Sequence, residues 1–287
     1  MKVEYRGFVV LAVGVFVVLF PFMMFVALGW PGKPNDCIDD TPNSCFCERY
    51  NRNEVLKGAS GVRQPVNTWG NLYALITSSI VALVVFLDRR QFGEGYAPNL
   101  MRSRSWMPDV YIFAVLFLGL GSMWFHASLT KWGGTLDGMS MFVYASFLIF
   151  YSVRRLWNSA LFFWLAYLGT IALNTALHGH VESLILILLL VAGYVAVEIT
   201  IWVKTKKPFG GTILTGVLWV LSVISIIMAT VFWKLSKTGG SMCDPRSAFQ
   251  PHGLLWHPLA GVMAVLLYFY WREADEPVSV EPGLGSL

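Results

Sequence analysis

Eight long apolar segments constrain this chain more than any other feature. They lie at roughly 7–30, 69–88, 110–129, 135–152, 157–177, 182–203, 211–233 and 252–271. Each is close to the ~20 residues that an α-helix needs to cross a bilayer. The runs are continuous and do not alternate with polar residues, which argues against a membrane β-barrel. The sequence therefore predicts an all-α polytopic membrane protein.

The charge of the chain agrees with this class. Charged residues make up 13% of the sequence and hydrophobic residues 56%, whereas soluble domains are about 25% charged. The net charge of +4 is small, and the basic residues lie in short loops beside apolar segments, as membrane orientation signals do. We therefore expect no nucleic-acid partner.

The first apolar segment is predicted to be a retained transmembrane helix, at 1–30. Its apolar run is longer than the ~7–15 residues of a signal-peptide core, and no small-residue cleavage site precedes GWPGKP. The alternative is a cleaved signal peptide, which would leave seven spans in the same orientation.

Basic loops predict the orientation of the bundle. The Lys and Arg groups at 89–104, 154–155 and 204–207 would all lie on the same side as the N-terminus. Short loops rich in Lys and Arg face the cytoplasm, so both termini are expected there.

The cysteines agree with this orientation, because all four fall on the opposite, outer side: Cys37, Cys45, Cys47 and Cys243. An oxidising outer face permits disulfides. Four cysteines allow three pairings, and four free thiols are the alternative.

Five polar residues lie in or against the apolar segments, where polar groups are expensive. They are Ser122, His126, Asp137, His252 and His257. The predicted topology places all five near the outer ends of three spans. We therefore expect them to meet at one depth.

These residue types suit metal-assisted hydrolysis. Three histidines with an open fourth position are typical of a catalytic zinc site. Ser122 and His126 are four apart and share a helix face, while Asp137 can accept a proton from the attacking water or hold that water in place. Zinc lowers the pKa of bound water toward ~7 and polarises a carbonyl, two effects that amide and ester hydrolysis require.

Each residue also has a simpler interpretation. Ser122 could bond to its own helix backbone, Asp137 could favour a helix N-terminus, and the histidines could lie at the membrane interface. All five would have to coincide by accident, so a metal-dependent membrane hydrolase is favoured. Glu198 is a further intramembrane carboxylate, which is a functional candidate by default, and we assign it no role.

At these residues the sequence resembles the alkaline ceramidase family. The wider superfamily also holds the progestin/adiponectin receptors and GPI-remodelling proteins, and its pattern is S-x3-H on one helix, Asp on the next and H-x3-H on the last. Here GSMWFH supplies Ser122 and His126, and LDGMSM supplies Asp137. NTWGN, from Asn67 to Asn71, resembles the NTxSN start of the first ceramidase core helix.

The resemblance covers about residues 45–271 and implies a division of the chain. A seven-helix hydrolase core would span 67–271, preceded by the extra N-terminal helix at 1–30 and a Cys-containing outer loop at 31–66. The segment 272–287 is polar and contains Pro and Gly, so we predict a disordered cytoplasmic tail.

The resemblance also implies a site and a reaction. The zinc ligands would be His126, His252 and His257, while Ser122 and Asp137 orient water and stabilise the tetrahedral intermediate. The implied reaction cleaves the amide of a ceramide-like membrane lipid into fatty acid and sphingoid base.

The family disulfide would join Cys47 to Cys243, which leaves Cys37 and Cys45 as a second pair.

The last histidine pair departs from the family pattern, because HGLLWH is H-x4-H. Positions five apart in a regular helix point about 140° away from each other. A π-type turn would align them, and Pro258 favours one because its ring clashes with the carbonyl of Leu254. Alternatively, His252 precedes the helix proper. We predict that one of these two arrangements holds.

A second departure concerns calcium, which ceramidases bind through D-W-C-E-x-N and a further Glu. In CFCERYN, Cys47 and Glu48 match, but Cys45 and Phe46 replace Asp and Trp, and Gln64 stands in place of the further Glu. Calcium prefers several carboxylate oxygens, so the substitutions argue against a Ca²⁺ site, for which Glu48 is the remaining candidate.

Three other functions compete with a ceramidase. A lipid esterase or GPI-remodelling hydrolase would use the same residues, since both reactions pass through an oxyanion. A seven-helix lipid receptor would hold structural zinc in a closed site. A transporter is disfavoured because paired broken helices are lacking. The NTWGN motif and the spacing from His126 to Asp137 favour the ceramidase.

Overall fold

Helices build the chain in the computed structural model, which describes residues 2–39, 46–92, 97–178 and 180–274. No β-strand forms among them. The α-helices are α1 (Arg6–Leu28), α2 (Arg52–Leu56), α3 (Pro65–Gly70), α4 (Tyr73–Phe92), α5 (Met107–Ser128), α6 (Lys131–Leu156), α7 (Ala160–Leu177), α8 (Ser183–Thr205), α9 (Ile213–Leu235) and α10 (His257–Glu273). Short 3₁₀ helices lie at Val3–Tyr5, Asp36–Asp39, Leu100–Arg102 and Pro208–Gly210, and a π-turn lies at His252–Trp256.

Eight helical segments within these residues are long and apolar enough to cross a membrane, which confirms the predicted all-α polytopic fold. They are Val3–Leu28, Pro65–Phe92, Met107–Ser128, Lys131–Leu156, Ala160–Leu177, Ser183–Thr205, Ile213–Leu235 and His252–Glu273. The second starts earlier than predicted because α3 leads almost directly into α4.

The bundle is organised around α5, which is buried along most of its length and packs against α1, α4 and α6. Helix α10 packs against α4 and α9. Successive spans alternate in direction, so the two ends of the bundle contain different groups of residues. We call one end the arginine end, because Arg89, Arg155 and Arg272 lie in the last turns of their helices there. The other is the disulfide end, where Cys47 is bonded to Cys243.

Helix α1 is packed into the bundle as an integral member. A Cβ atom added at Gly7 would lie 2.9 Å from Ile112 Cδ1, so the absence of a side chain there lets α1 approach α5 closely. At the arginine end, Arg6 Nε donates to Asp109 Oδ2 at 2.6 Å and Arg89 Nη2 donates to the same oxygen at 2.7 Å. Asp109 therefore joins α1, α4 and α5.

A buried carboxylate ties three further helices together at the arginine end. Glu198 of α8 is 0% exposed and accepts hydrogen bonds from Ser152 Oγ (2.6 Å) and Arg155 Nη1 (2.9 Å) on α6. It also accepts from Tyr270 OH (2.7 Å) and Trp271 Nε1 (3.2 Å) on α10. The sequence analysis assigned Glu198 no role. The structure makes its carboxylate the common acceptor of a buried polar network that joins α6, α8 and α10.

The disulfide between Cys47 and Cys243 confirms the pairing that the resemblance implied. It pins the loop before α2 to the loop after α9, and the Cys47 N–H also donates to the Ser236 carbonyl at 3.1 Å. The second expected pair includes Cys45, which lies outside the described residues. Most of the expected tail, at 275–287, also lies outside them, and α10 runs to Glu273.

Removing this disulfide is expected to lower stability. We expect Cys243→Ser to reduce the free energy of unfolding by about 2–5 kcal/mol, because the bond no longer restricts the unfolded chain. Thermal unfolding of the detergent-purified protein would measure the change. A reductant should lower the wild-type transition by more than it lowers that of the variant, because only the wild type has this bond to lose. Equal transitions in all four samples would contradict the prediction.

Candidate metal centre

Three buried histidines meet near the disulfide end of the bundle. His126 lies in the last turn of α5, His252 begins the π-turn and His257 begins α10. They are 0%, 3% and 2% exposed, respectively. One nitrogen from each ring lies within 4.8 Å of the other two, and the Nε2 atoms of His126 and His252 are 3.1 Å apart. The residues predicted as ligands therefore form a group that could bind a metal ion.

The π-turn explains how two histidines five positions apart face the same way. The His257 N–H donates to the His252 carbonyl, so an i to i+5 hydrogen bond joins the two residues directly. Pro258 follows immediately and has no N–H to continue a regular α-helical ladder. Of the two arrangements expected from the sequence, the structure adopts the π-turn.

Two glycines hold the π-turn against α3. A Cβ atom added at Gly253 would lie 2.6 Å from the Val66 carbonyl oxygen, which is too close for any real side chain. One added at Gly70 would collide with the Gly253 carbonyl. Backbone therefore packs directly on backbone here, and this contact fixes the height of His252 in the bundle.

Gln64 orients His126. The Gln64 side chain donates through Nε2 to the carbonyls of Phe46 and Glu48, both at 3.1 Å, which leaves its Oε1 facing His126 Nδ1 at 2.9 Å. An amide oxygen only accepts, so Nδ1 must carry the proton and Nε2 keeps a free lone pair. Partners of this kind set the tautomer of metal-binding histidines.

Phe46 supports His252 from the loop side. The two rings are stacked, with centroids 3.5 Å apart and an angle of 24° between their planes. Phe46 precedes Cys47, so the disulfide holds this ring in place. Sequence reasoning treated Phe46 and Gln64 only as replacements of calcium-binding residues, and it missed their contacts with the histidines because those contacts form only in the folded chain.

Ser122 and Asp137 form a pair beside the histidines. Ser122 lies one turn before His126, about 6 Å along the axis of α5, and its hydroxyl donates to the Asp137 carboxylate. Helices α5 and α6 approach closely at this level, since a Cβ atom at Gly121 would lie 2.6 Å from Ser140 Cβ. The two residues that were predicted to act on water are therefore in contact with each other.

The ring nitrogens fit a metal ion better than they fit an empty core. Within the described part of the chain, His252 Nδ1 and both nitrogens of His257 are buried without a hydrogen-bond partner, although buried polar groups are normally paired. Zinc–nitrogen bonds of 2.0–2.1 Å in tetrahedral geometry place neighbouring ligand atoms about 3.3 Å apart. The separation of 3.1 Å between His126 and His252 is close to that value.

Glu48, the remaining calcium candidate, has a helix-capping role. Its Oε1 accepts the Val66 N–H at 2.7 Å and its Oε2 accepts the Asn67 N–H at 2.8 Å, both in the first turn of α3. Burial raises the pKa of the Glu48 carboxyl, and these two hydrogen bonds oppose the rise. Both oxygens are already engaged, which argues against calcium at this residue and makes Glu48 a support for α3.

The centre thus combines three histidines that could bind a metal ion with a hydroxyl–carboxylate pair inside a membrane bundle. No protein-family model matches the chain, and no curated protein matches it significantly. The chemistry and geometry of the site therefore carry the inference about function.

Proposed function

We propose that this protein is a zinc-dependent intramembrane hydrolase that cleaves the amide bond of ceramide-like lipids to fatty acid and sphingoid base. One observation carries the proposal: three buried histidines converge one turn from the paired Ser122 and Asp137. Zinc at the histidines would polarise the substrate carbonyl and lower the pKa of a water molecule toward ~7.

Asp137, Ser122 and Gln64 have separate roles in this reaction. The Asp137 carboxylate holds the attacking water, accepts its proton and passes that proton to the leaving nitrogen as general base and then general acid. Ser122 donates to Asp137 and keeps the carboxylate in one orientation. Gln64 keeps the proton of His126 on Nδ1, so Nε2 stays free to bind the metal.

We infer the orientation from the two ends of the bundle. The arginine end would face the cytoplasm, as basic segments beside membrane spans do. The disulfide end would then face the oxidising, extracytoplasmic side. On this arrangement the lipid amide is cleaved toward the outer face of the membrane, and the acyl chain remains among the apolar helices.

Hydrolysis assays on detergent-purified protein test the proposal. The protein would be stripped with a chelator, reloaded with Zn²⁺ and offered a long-chain ceramide or a phosphatidylcholine ester. We expect fatty acid from ceramide only after reloading. Asp137→Asn should keep its zinc and lose about 10²–10⁴-fold in kcat, the usual contribution of a general base.

The same assays separate the alternatives. Cleavage of the ester but not of ceramide would favour a lipid esterase or remodelling hydrolase. Stable zinc binding without cleavage of either lipid would favour a receptor with a structural metal. Wild-type activity in Asp137→Asn would overturn the role given to that carboxylate.

A further inference from the structure

Tyr73 occupies a slot between two helices of the metal centre. It is the first residue of α4, and its ring lies between α5 and α10. A Cβ atom at Gly261 of α10 would collide with Tyr73 Cδ2, and one at Gly119 of α5 would lie 3.4 Å from Tyr73 Cε1. The face of the slot toward α10 therefore depends on glycine at position 261, and on the α5 side the ring lies within ordinary van der Waals distance of position 119.

The slot lies one turn below the residues of the proposed site. Gly261 follows His257 by four residues, and Gly119 precedes Ser122 by three, both toward the arginine end. The Tyr73 ring is stacked with the His257 ring at a centroid distance of 6.2 Å and an angle of 26°. Tyr73 therefore forms the floor of the centre on the side away from the disulfide.

The Tyr73 hydroxyl points toward the polar part of the site. It lies within electrostatic range of Asp137 and Tyr144, and it has no hydrogen-bond partner among the described residues. The neighbouring Tyr144 hydroxyl differs, because it contacts the Tyr111 hydroxyl at 3.2 Å and donates to Met263 Sδ at 3.3 Å. Tyr73 is half-buried rather than fully enclosed, so its hydroxyl is free to donate a hydrogen bond to a polar atom of a ligand.

We propose that the Tyr73 hydroxyl donates a hydrogen bond to the acyl oxygen of the lipid substrate. This inference rests on the proposed hydrolase function and assigns that site its donor to the oxygen. The acyl oxygen gains negative charge as the amide carbon becomes tetrahedral, and a fixed donor stabilises that charge more than it stabilises the ground state. With Asp137 acting on the water and Tyr73 on the oxygen, the carbonyl carbon lies between the two.

Tyr73→Phe tests the proposal, since phenylalanine keeps the ring in its slot and removes only the hydroxyl. We expect unchanged zinc content and an unchanged thermal transition. For ceramide hydrolysis, kcat should fall about 10²–10³-fold, the usual effect of losing one oxyanion donor, with a smaller change in KM. A second readout is independent of turnover: binding of a long-chain acyl hydroxamate to the zinc-loaded protein should weaken roughly 5–10-fold on loss of one hydrogen bond.

Tyr144→Phe is the matched control. It removes the same atom type from the same region, but from a hydroxyl that already has protein partners, so kcat and hydroxamate binding should stay near wild type. Wild-type kcat and binding in Tyr73→Phe, or equal losses in both variants, would overturn the assignment. A zinc-loaded wild type that neither cleaves ceramide nor binds the hydroxamate would instead overturn the hydrolase function itself.

Discussion

Replacing His126 by alanine is expected to abolish metal binding and lipid hydrolysis together. His126 is the one ligand candidate whose tautomer is fixed by the protein, through Gln64, and its Nε2 lies 3.1 Å from that of His252. Two histidines on a short turn cannot complete a three-nitrogen site without it. Zinc per chain, measured by mass spectrometry on detergent-purified protein, should fall from about one to background.

His180→Ala is the matched control for this change. His180 is exposed and is not one of the three converging histidines, so the variant should keep its zinc and its activity. Zinc retained at the wild-type level in His126→Ala would remove that residue from the ligand set. A folded wild type that takes up no zinc would contradict the metal centre as a whole.

Replacing Glu198 by alanine is expected to destabilise the fold strongly while leaving zinc binding intact. The variant would remove the Glu198 carboxylate from Arg155, whose side chain is 1% exposed at the arginine end. Removing one member of a buried ion pair costs about 3–5 kcal/mol, because the other charge stays desolvated. Denaturant unfolding in detergent measures the loss, and zinc per chain reports on the distant centre.

Asp36→Ala provides the comparison, because it also deletes a carboxylate from an ion pair. Asp36 lies 2.8 Å from Lys131 Nζ, but its side chain is 84% exposed, and exposed pairs contribute about 0–1 kcal/mol. If Glu198→Ala unfolds at the same denaturant concentration as Asp36→Ala, the network around Glu198 contributes no more to the free energy of unfolding than an exposed ion pair does.

The fold was predictable because span length and hydropathy are local properties. Each of the eight apolar segments can be predicted without reference to the rest of the chain, and all eight are confirmed. The meeting of the three histidines was also predictable, since alternating spans bring His126, His252 and His257 to one end of the bundle. The pairing of Cys47 with Cys243 came from the family resemblance and is confirmed.

The support around the histidines was not predictable, because it depends on residues that are distant in sequence. Gln64 reaches His126 only after the segment before α3 docks on the end of α5, where the Gln64 N–H donates to the His126 carbonyl at 3.1 Å. The Tyr73 ring lies between Gly119 and Gly261, which belong to different helices. An aromatic residue at the start of a span indicates packing or an interfacial anchor, and nothing in the local pattern marks it as part of a site.

The π-turn between His252 and His257 lets the number of residues between the two histidines vary without separating their rings. A π-turn holds one residue more than an α-turn, so deleting one residue between the ligands would relax it to regular helix. Residues four apart in that helix share a face, and both rings would still point toward His126. A chain with three residues between the two histidines and a chain with four can therefore present the same pair of rings to His126, and the two differ by a single codon.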